Sequence, residues 1–333
     1  MKTIIHFVLI PCICIMSANY QLRAQISTTT ISVVSPNNEE LPKEPYDSTH
    51  NLPVISKVGT YVGQLVYMHG LKNKENWYSG FYSATEFAKG YGTTKTNNFN
   101  TAYQDLYGKY FYVDKIQPRK GHYDEFEVYL RNRDNHADVA KYFLKLSSGH
   151  KYNYEPWITV SYYNYINSLI GKEYICYHKK FDYVNEDYEY VYCFNQFDIK
   201  TGQRIKFESK DMWRLVEVSI EENTQRIIAI FQNARGNTTY CQLSDFEPNE
   251  DGTYNLIAKE KYDKLLNKYG SYYFNLWLKH ECEVGMPEEL FELMWGTPTS
   301  KRKSSYQEQW IYNTGLSRTY FYFKDKKLTS WSD

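Results

Sequence analysis

The chain has 333 residues, enough for two or three domains, and its 39 Lys and Arg balance 39 Asp and Glu. This balance excludes a global field that would attract nucleic acid or an anionic membrane. Tyrosine is the unusual component, with 35 residues beside 17 Phe and 7 Trp. It suits strands, and its ring can be buried while its hydroxyl stays wet. The composition therefore predicts a β-rich protein, and carbohydrate-stacking platforms are the alternative use of so many rings.

Residues 1–24 are typical of a secretory signal peptide. Lys2 supplies a positive charge, Ile4 to Met16 supply an apolar core, and Ala24 offers a small residue at the cleavage point. A buried first strand is one alternative. A lipid anchor on Cys12 or Cys14 is another, but neither cysteine follows the small residue that lipid attachment requires. No later segment approaches about 18 apolar residues, so we expect no transmembrane span in the mature chain and export to the periplasm or cell surface.

Three segments follow the signal. Residues 25–56 carry four of the ten prolines among polar residues. Because such a segment buries too little apolar surface to offset its ordering entropy, it is predicted to be a tether. Residues 57–150 and 160–257 are predicted to be two β-rich units, since strand signals recur there roughly every ten residues.

Four aromatic residues mark a Gly- and Asn-rich loop of the first unit, namely Trp77, Tyr78, Phe81 and Tyr82. Loops carry a disproportionate share of binding residues, and rings in this setting stack on sugars or grip a partner. A local satellite core beneath the loop is the alternative interpretation.

Four cysteines remain once the signal is removed: Cys176, Cys193, Cys241 and Cys282. Export makes disulfides available, and four cysteines allow three complete connectivities. Cys176 and Cys193 lie in two strand-like runs that flank the turn-rich segment 183–186. A four-residue loop there would place them opposite each other, so this pair is the predicted disulfide. Free buried thiols are the alternative.

Motifs of catalysis are missing from the sequence. It has no Gly-x-Ser-x-Gly, no phosphate-binding loop, no Cys-x-x-Cys and no His-Glu-x-x-His. The eight histidines lack metal-ligand spacing. The acidic run from Asp182 to Glu189 lacks the alternating ligands and the Gly of a calcium loop, so a solvated hairpin tip is the preferred interpretation. We therefore expect no catalytic residue, no cofactor and no metal site.

The segment 258–333 predicts a small C-terminal domain. Helical periodicity over 259–269 ends at Gly270, and a short helix follows Gly285. Alternating residues then predict three antiparallel strands, which two helices would cover on one face. The predicted fold class is therefore α+β, with mainly antiparallel β units followed by two helices packed on a three-stranded antiparallel sheet.

Four short motifs occur in a fixed order in this domain: Gly285-Met286, Gly296-Thr297-Pro298, Glu308-Gln309-Trp310-Ile311-Tyr312 and Phe321-Tyr322-Phe323-Lys324. Together they resemble the small outer-membrane lipoprotein family that includes BamE, the accessory subunit of the β-barrel assembly machine. A similar fold occurs in β-lactamase inhibitor protein, and the whole chain resembles secreted proteins of gut Bacteroidetes. The family has Ser or Thr after Gly-Met as a helix cap. Because Pro287 stands there, the resemblance implies a helix start about 1 kcal/mol weaker than a capped one.

The signal, the tether, the β units and the BamE-like domain lead us to expect an exported, non-enzymatic envelope protein that acts as a protein–protein binding scaffold. Its expected partner is another envelope protein. Trp310, Tyr312, Tyr320 and Tyr322 would form its core or its contact face, because alternate strand residues point to opposite sides of a sheet. The alternative function is glycan binding through the loop aromatics, with a polysaccharide as partner.

Overall fold

The computed structural model describes residues 45–71, 77–86, 89–92, 100–146, 156–176, 180–182, 187–189, 193–208, 211–221, 224–247, 253–314 and 317–332. Strands account for 39% and helices for 22% of them. Every strand pairing in this part of the chain is antiparallel. The predicted α+β class, dominated by antiparallel β structure, is confirmed. The predicted signal and residues 25–44 of the predicted tether lie outside the described residues.

Six strands form the first sheet: β1 (Leu65–Met68), β2 (Phe81–Ser83), β3 (Tyr110–Pro118), β4 (Glu125–Asn132), β5 (Val139–Lys145) and β6 (Trp157–Thr159). Their order is β2-β5-β4-β3-β1-β6. Buried residues alternate through β4, so Val128 and Leu130 reach one face of the sheet. On that face a 3-10 helix (Ile55–Tyr61) and α1 (Tyr103–Leu106) help enclose the first core. Leu52, near the end of the Pro-rich segment, packs against the same core.

Helix α2 (Val160–Ser168) leads to the next seven strands: β7 (Glu173–Cys176), β8 (Lys180–Asp182), β9 (Asp187–Glu189), β10 (Met212–Ile220), β11 (Ile227–Asn233), β12 (Thr238–Gln242) and β13 (Leu256–Ala258). Five of them form the second sheet in the order β12-β11-β10-β7-β13, and β8 pairs with β9 as a hairpin. Tyr162 and Ile166 of α2 are buried in the second core, which this sheet covers.

Short strands are shared between neighbouring cores. In β1, Val66 lies in the first core and Tyr67 in the second; in β6, Trp157 lies in the first and Ile158 in the second. Strands β7 and β13 repeat this pattern, because Tyr174 and Leu256 face the second core while Ile175 and Ile257 face a third. Apolar strands without alternation are typical of sheets that are buried on both faces. The three cores therefore form a stack in which a sheet separates each core from the next.

The third core lies among α3 (Lys259–Lys279), α4 (Glu288–Trp295), β14 (Ser300–Lys303), β15 (Glu308–Thr314), β16 (Ser317–Lys324) and β17 (Lys327–Ser332). Gly270, with φ 73°, interrupts α3 at the predicted point. The C-terminal sheet has four strands, in the order β14-β15-β16-β17, instead of the three predicted. Strand β14 was missed because all four of its residues are exposed and give no apolar alternation. Among the described helices, none has the length and apolar character needed to cross a membrane.

The start of α4 is supported by the backbone of the β16–β17 turn. Pro287 is the N-cap residue and forms no side-chain capping bond, as predicted. The backbone N–H of Glu288 instead donates to the carbonyl of Lys326 at 3.0 Å, and Leu328 donates to Met286 at 2.9 Å. Gly285 (φ 93°) completes this pairing, because its N–H donates to Leu328 at 2.7 Å. The turn thus satisfies one of the amide groups that are unpaired at a helix start.

Candidate functional site

The alternation of β15 and β16 separates the four C-terminal aromatic residues that the sequence singled out. Trp310 and Tyr312 are 2% and 6% exposed and belong to the third core. The indole N–H of Trp310 donates to Glu308 at 2.8 Å, and the Tyr312 hydroxyl donates to the Gly296 carbonyl at 2.8 Å. Phe291 of α4 packs on both rings. These two aromatic residues therefore hold the domain together and are not available to a partner.

Tyr320 and Tyr322 lie on the opposite face of the same sheet, and both are partly exposed. Tyr320 is paired with Ile311, and Tyr322 is paired with Gln309. The side-chain amide of Gln309 donates to the Tyr322 hydroxyl at 3.0 Å, which fixes the direction of that ring. This face turns away from α4, so it presents two oriented tyrosines outside the third core.

Basic side chains surround the two tyrosines. Arg302 on β14 is opposite Gln309, while Arg318 and Lys324 share the parity of Tyr320 and Tyr322 on β16. All three cations are exposed. None of them forms an ion pair within the described part of the chain. We call Arg302, Arg318, Tyr320, Tyr322 and Lys324 the basic sheet face.

The neighbouring Lys301 shows that position on the strand decides which cations are available. Lys301 points to the other side of β14, where its ammonium lies 3.8 Å from the centre of the Trp310 ring. It also pairs with Glu292 at 3.1 Å. Lys301 is therefore engaged with the third core, whereas the cations of the basic sheet face remain open to an anionic group.

The loop aromatics of the first unit do not form one platform. Trp77 is 48% exposed, whereas Tyr78 and Phe81 are 1% and 0% exposed and belong to the first core. The Tyr78 hydroxyl donates to the His69 carbonyl at 2.6 Å, and its ring stacks on Tyr103 with centroids 5.7 Å apart. The alternative of a satellite core thus describes Tyr78 and Phe81, while Trp77 stays accessible.

Tyr82 lies on the outer face of the first sheet, beside residues that the sequence did not single out. Its ring centroid is 5.1 Å from that of Phe143, over which the Arg119 guanidinium lies at 4.2 Å. On the same face, hydrogen bonds from Gln117 and Tyr129 lower the pKa of Glu127. The face therefore combines aromatic rings with the hydrogen-bonded carboxylate of Glu127. The Arg119 guanidinium covers the Phe143 ring, so this ring is not open to a ligand.

A cleft lies between the first and second cores, lined by residues from distant parts of the chain that include Asn51, Arg226, Ser244 and Glu247. Its empty volume, with the open mouth included, is about 580 Å³. The Asn51 N–H donates to Glu247 at 3.2 Å, and the Asn51 amide donates to the Trp157 carbonyl at 3.2 Å. The cleft was not predicted because no local motif unites these residues.

The two cysteines of the predicted disulfide lie side by side as free thiols. The sulfur atoms of Cys176 and Cys193 lie 3.3 Å apart. Burial raises the pKa of both thiols. Cys282 is separate: the indole N–H of Trp295 donates to its sulfur at 3.2 Å, and burial raises its pKa to about 11. No group of three or more His, Cys, Asp or Glu in the described residues has metal-site geometry.

Comparisons with known proteins give no neighbour. No family model, no curated protein and no solved structure matches this chain. The BamE-like resemblance of the C-terminal motifs stays a prediction.

Proposed function

We propose that this protein is an exported envelope protein that works without catalysis and binds another envelope protein through the basic sheet face. The partner surface is acidic. The observation that supports this proposal is the exposure of Arg302, Arg318 and Lys324, without ion-pair partners in the described chain, around the half-buried Tyr320 and Tyr322.

The chemistry of the face suits protein recognition. Tyr and Arg are enriched at protein interfaces because they offer apolar area together with hydrogen-bond donors. The sheet beneath them is rigid, since its other side packs on α4 in the third core. Complementary charge accelerates encounter and rejects basic partners. A rigid, basic and aromatic face therefore selects an acidic protein surface.

The size of the face limits the affinity. The four strands contain 25 residues in total. At about 3.4 Å per residue and about 4.8 Å between strands, they cover roughly 400 Å². A stable interface needs about 800 Å² on each partner. Contact through this face alone should therefore be transient and sensitive to salt, because exposed charges are screened over about 8 Å at physiological ionic strength.

Export and the resemblance support the same proposal from the sequence side. The signal-like residues 1–24 imply passage into the envelope. The C-terminal motifs resemble a family whose member BamE serves as an accessory subunit, so a binding role agrees with that resemblance. Such folds also serve unrelated functions, so the face itself remains the main support.

Charge reversal tests the face with a defined probe. Binding of the full chain to poly-glutamate is measured by fluorescence for the wild type, for Arg318→Glu/Lys324→Glu, and for Lys200→Glu/Arg204→Glu. The second double variant changes net charge equally at an exposed site elsewhere. We expect only the first to weaken binding, by about tenfold or more. Equal loss in both variants would show that net charge, and not the face, drives binding.

Cross-linking in the envelope tests the partner. A photoreactive residue at Tyr322 should capture one acidic envelope protein, and Arg318→Glu/Lys324→Glu should abolish capture. The same residue placed at Tyr123, which is 87% exposed in another part of the molecule, serves as the control. Identical products from both positions would contradict a specific partner.

Glycan binding is the second candidate, and the 48% exposure of Trp77 favours it. An exposed indole can stack on a sugar ring, and its removal would leave the first core intact. Trp77→Ala should then lose retention on a polysaccharide column without a change in melting temperature. Tyr123→Ala is the control, and equal retention of both variants would remove this candidate.

A further inference from the structure

Two cysteines flank the β8–β9 hairpin in the sequence. Lys180 pairs with Glu189, and Asp182 pairs with Asp187. Cys176 precedes Lys180 by four residues, and Cys193 follows Glu189 by four residues. Their sulfur atoms are 3.3 Å apart, and the Cys193 N–H donates to the Cys176 sulfur at 3.4 Å.

A third thiol lies beside the pair. Cys241 on β12 is buried in the second core and lies near enough to Cys193 to contribute, after burial, to its raised pKa. The segment after Cys193 runs along β12, because Asn195 donates to the Tyr240 carbonyl at 2.8 Å. Cys176 and Cys241 are 6% and 2% exposed, and Cys193 packs against the same second core. Cys193 therefore lies between two possible partners.

We propose that Cys193 is the shared sulfur of a thiol–disulfide site, in which it forms a disulfide with Cys176 and keeps Cys241 as a second partner. The oxidant is an external disulfide. The Cys193 thiolate attacks one of its sulfurs and releases one thiol. The Cys176 thiolate then attacks the Cys193 sulfur of this mixed disulfide and releases the second thiol. The oxidant takes two electrons, and the protons of the two cysteines end on its thiols.

The disulfide partner of Cys193 can be exchanged within the site. If Cys241 attacks the Cys193 sulfur, the Cys193–Cys241 bond forms and Cys176 leaves as a thiolate that takes up the released proton. Burial raises the pKa of Cys176 and Cys193. Because the thiolate is the attacking species, a raised pKa slows oxidation. We therefore expect oxidation to be slow in the folded protein, where the thiols are buried, and faster during folding.

The disulfide would fasten the segment after Cys193 to the second sheet. This segment includes Phe194, which is 3% exposed in the second core, and Asp198, whose carboxylate accepts the Thr238 N–H at 2.6 Å. The two cysteines are 17 positions apart. Closure of a loop of this length in the unfolded chain should raise the melting temperature by roughly 5 °C.

Refolding of the full chain in glutathione buffer tests the site without reference to any binding function. Samples oxidised with glutathione disulfide are alkylated under denaturing conditions and mapped by mass spectrometry. We expect a Cys176–Cys193 link with alkylated Cys241 and Cys282. Cys282→Ala, the control, should give the same link. Alkylation of both Cys176 and Cys193 in the wild type would overturn the proposal.

The two partners of Cys193 are distinguished by variants. Cys176→Ala should move the link to Cys193–Cys241, whereas Cys193→Ala should give no link between Cys176 and Cys241. A Cys176–Cys241 link in Cys193→Ala, at the wild-type yield, would overturn the shared role of Cys193. Should Cys176→Ala fail to fold, a second measurement decides: reduction should lower the melting temperature of the wild type and leave that of Cys193→Ala unchanged. Equal shifts in both would contradict the proposal.

Discussion

Gly70→Ala should push the β10–β11 connection away from the residues that follow β1. Gly70 follows β1, and its N–H donates to the Gln225 carbonyl of the β10–β11 connection at 2.8 Å. An added Cβ would overlap the Thr224 carbonyl oxygen and the Gln225 side chain, and would lie only 2.7 Å from the Gln225 carbonyl carbon. Backbone atoms cannot turn aside as the end of a flexible side chain can. The connection must therefore move away from Gly70.

The expected loss follows from two contributions. Overpacking costs about 1–3 kcal/mol, and loss of the hydrogen bond to Gln225 costs about 1 kcal/mol. Together they predict a decrease of about 2–4 kcal/mol in the free energy of unfolding. Gly70 is not among the glycines with positive φ, so alanine meets no penalty from a left-handed backbone and the clash with the connection is the source of the loss.

Urea unfolding, followed by tryptophan fluorescence, measures this loss. Gly59→Ala is the matched control, because a Cβ on Gly59 meets nothing within 4 Å and its φ is not positive. We expect its stability to lie within about 0.5 kcal/mol of the wild type. Equal stabilities of the two variants would refute the close packing of β1 against the β10–β11 connection.

Three further outcomes are expected. Tyr78→Ala should lower the free energy of unfolding by about 3–5 kcal/mol because Tyr78 is 1% exposed, whereas Trp77→Ala should lower it by less than about 1 kcal/mol. Equal losses in urea unfolding would contradict the burial of Tyr78 and the exposure of Trp77. Phe291→Ala should also cost about 3–5 kcal/mol, since this fully buried ring contacts Trp and Tyr rings of α4 and β15; a loss below about 1 would contradict its central place. Hydrogen bonds from Lys268 and Tyr269 lower the pKa of Glu289 below 4.5, so their small stabilisation is present above pH 4.5 and lost as pH falls through the lowered value. Lys268→Ala should therefore lower the melting temperature at pH 7 and lower it progressively less as the pH falls below 4.5, and equal shifts at every pH would exclude this pairing.

Local patterns predicted the elements whose burial is one-sided. Residues 57–150 were predicted to be β-rich, and strand β4 within them alternates without error. Gly270 interrupts α3 where the helical periodicity ends. Apolar alternation did not predict a strand that buries neither face. Strand β14 has no apolar residue because it is an exposed edge strand of the C-terminal sheet.

Contacts between residues distant in sequence determine which side chains form the basic sheet face, and local patterns do not reveal such contacts. Alternation indicated that the C-terminal aromatics divide between two faces, but only the position of α4 shows that Tyr320 and Tyr322 face outward. Arg302 could not be included, since it joins the face through the missed strand β14. Phe143 was overlooked because its neighbour Tyr82 is remote in sequence.

Strands that belong to two cores make the molecule hard to divide. Removal of everything after residue 257 would leave Ile175 and Ile257 facing water, although both strands lie in the second sheet. The same holds one layer earlier for Tyr67 and Ile158. A recombination event that transferred one unit alone would therefore expose the apolar residues that the neighbouring unit covers in this protein. The unit that can be inherited, expressed or grafted is the whole stack, and we expect it to melt in one transition.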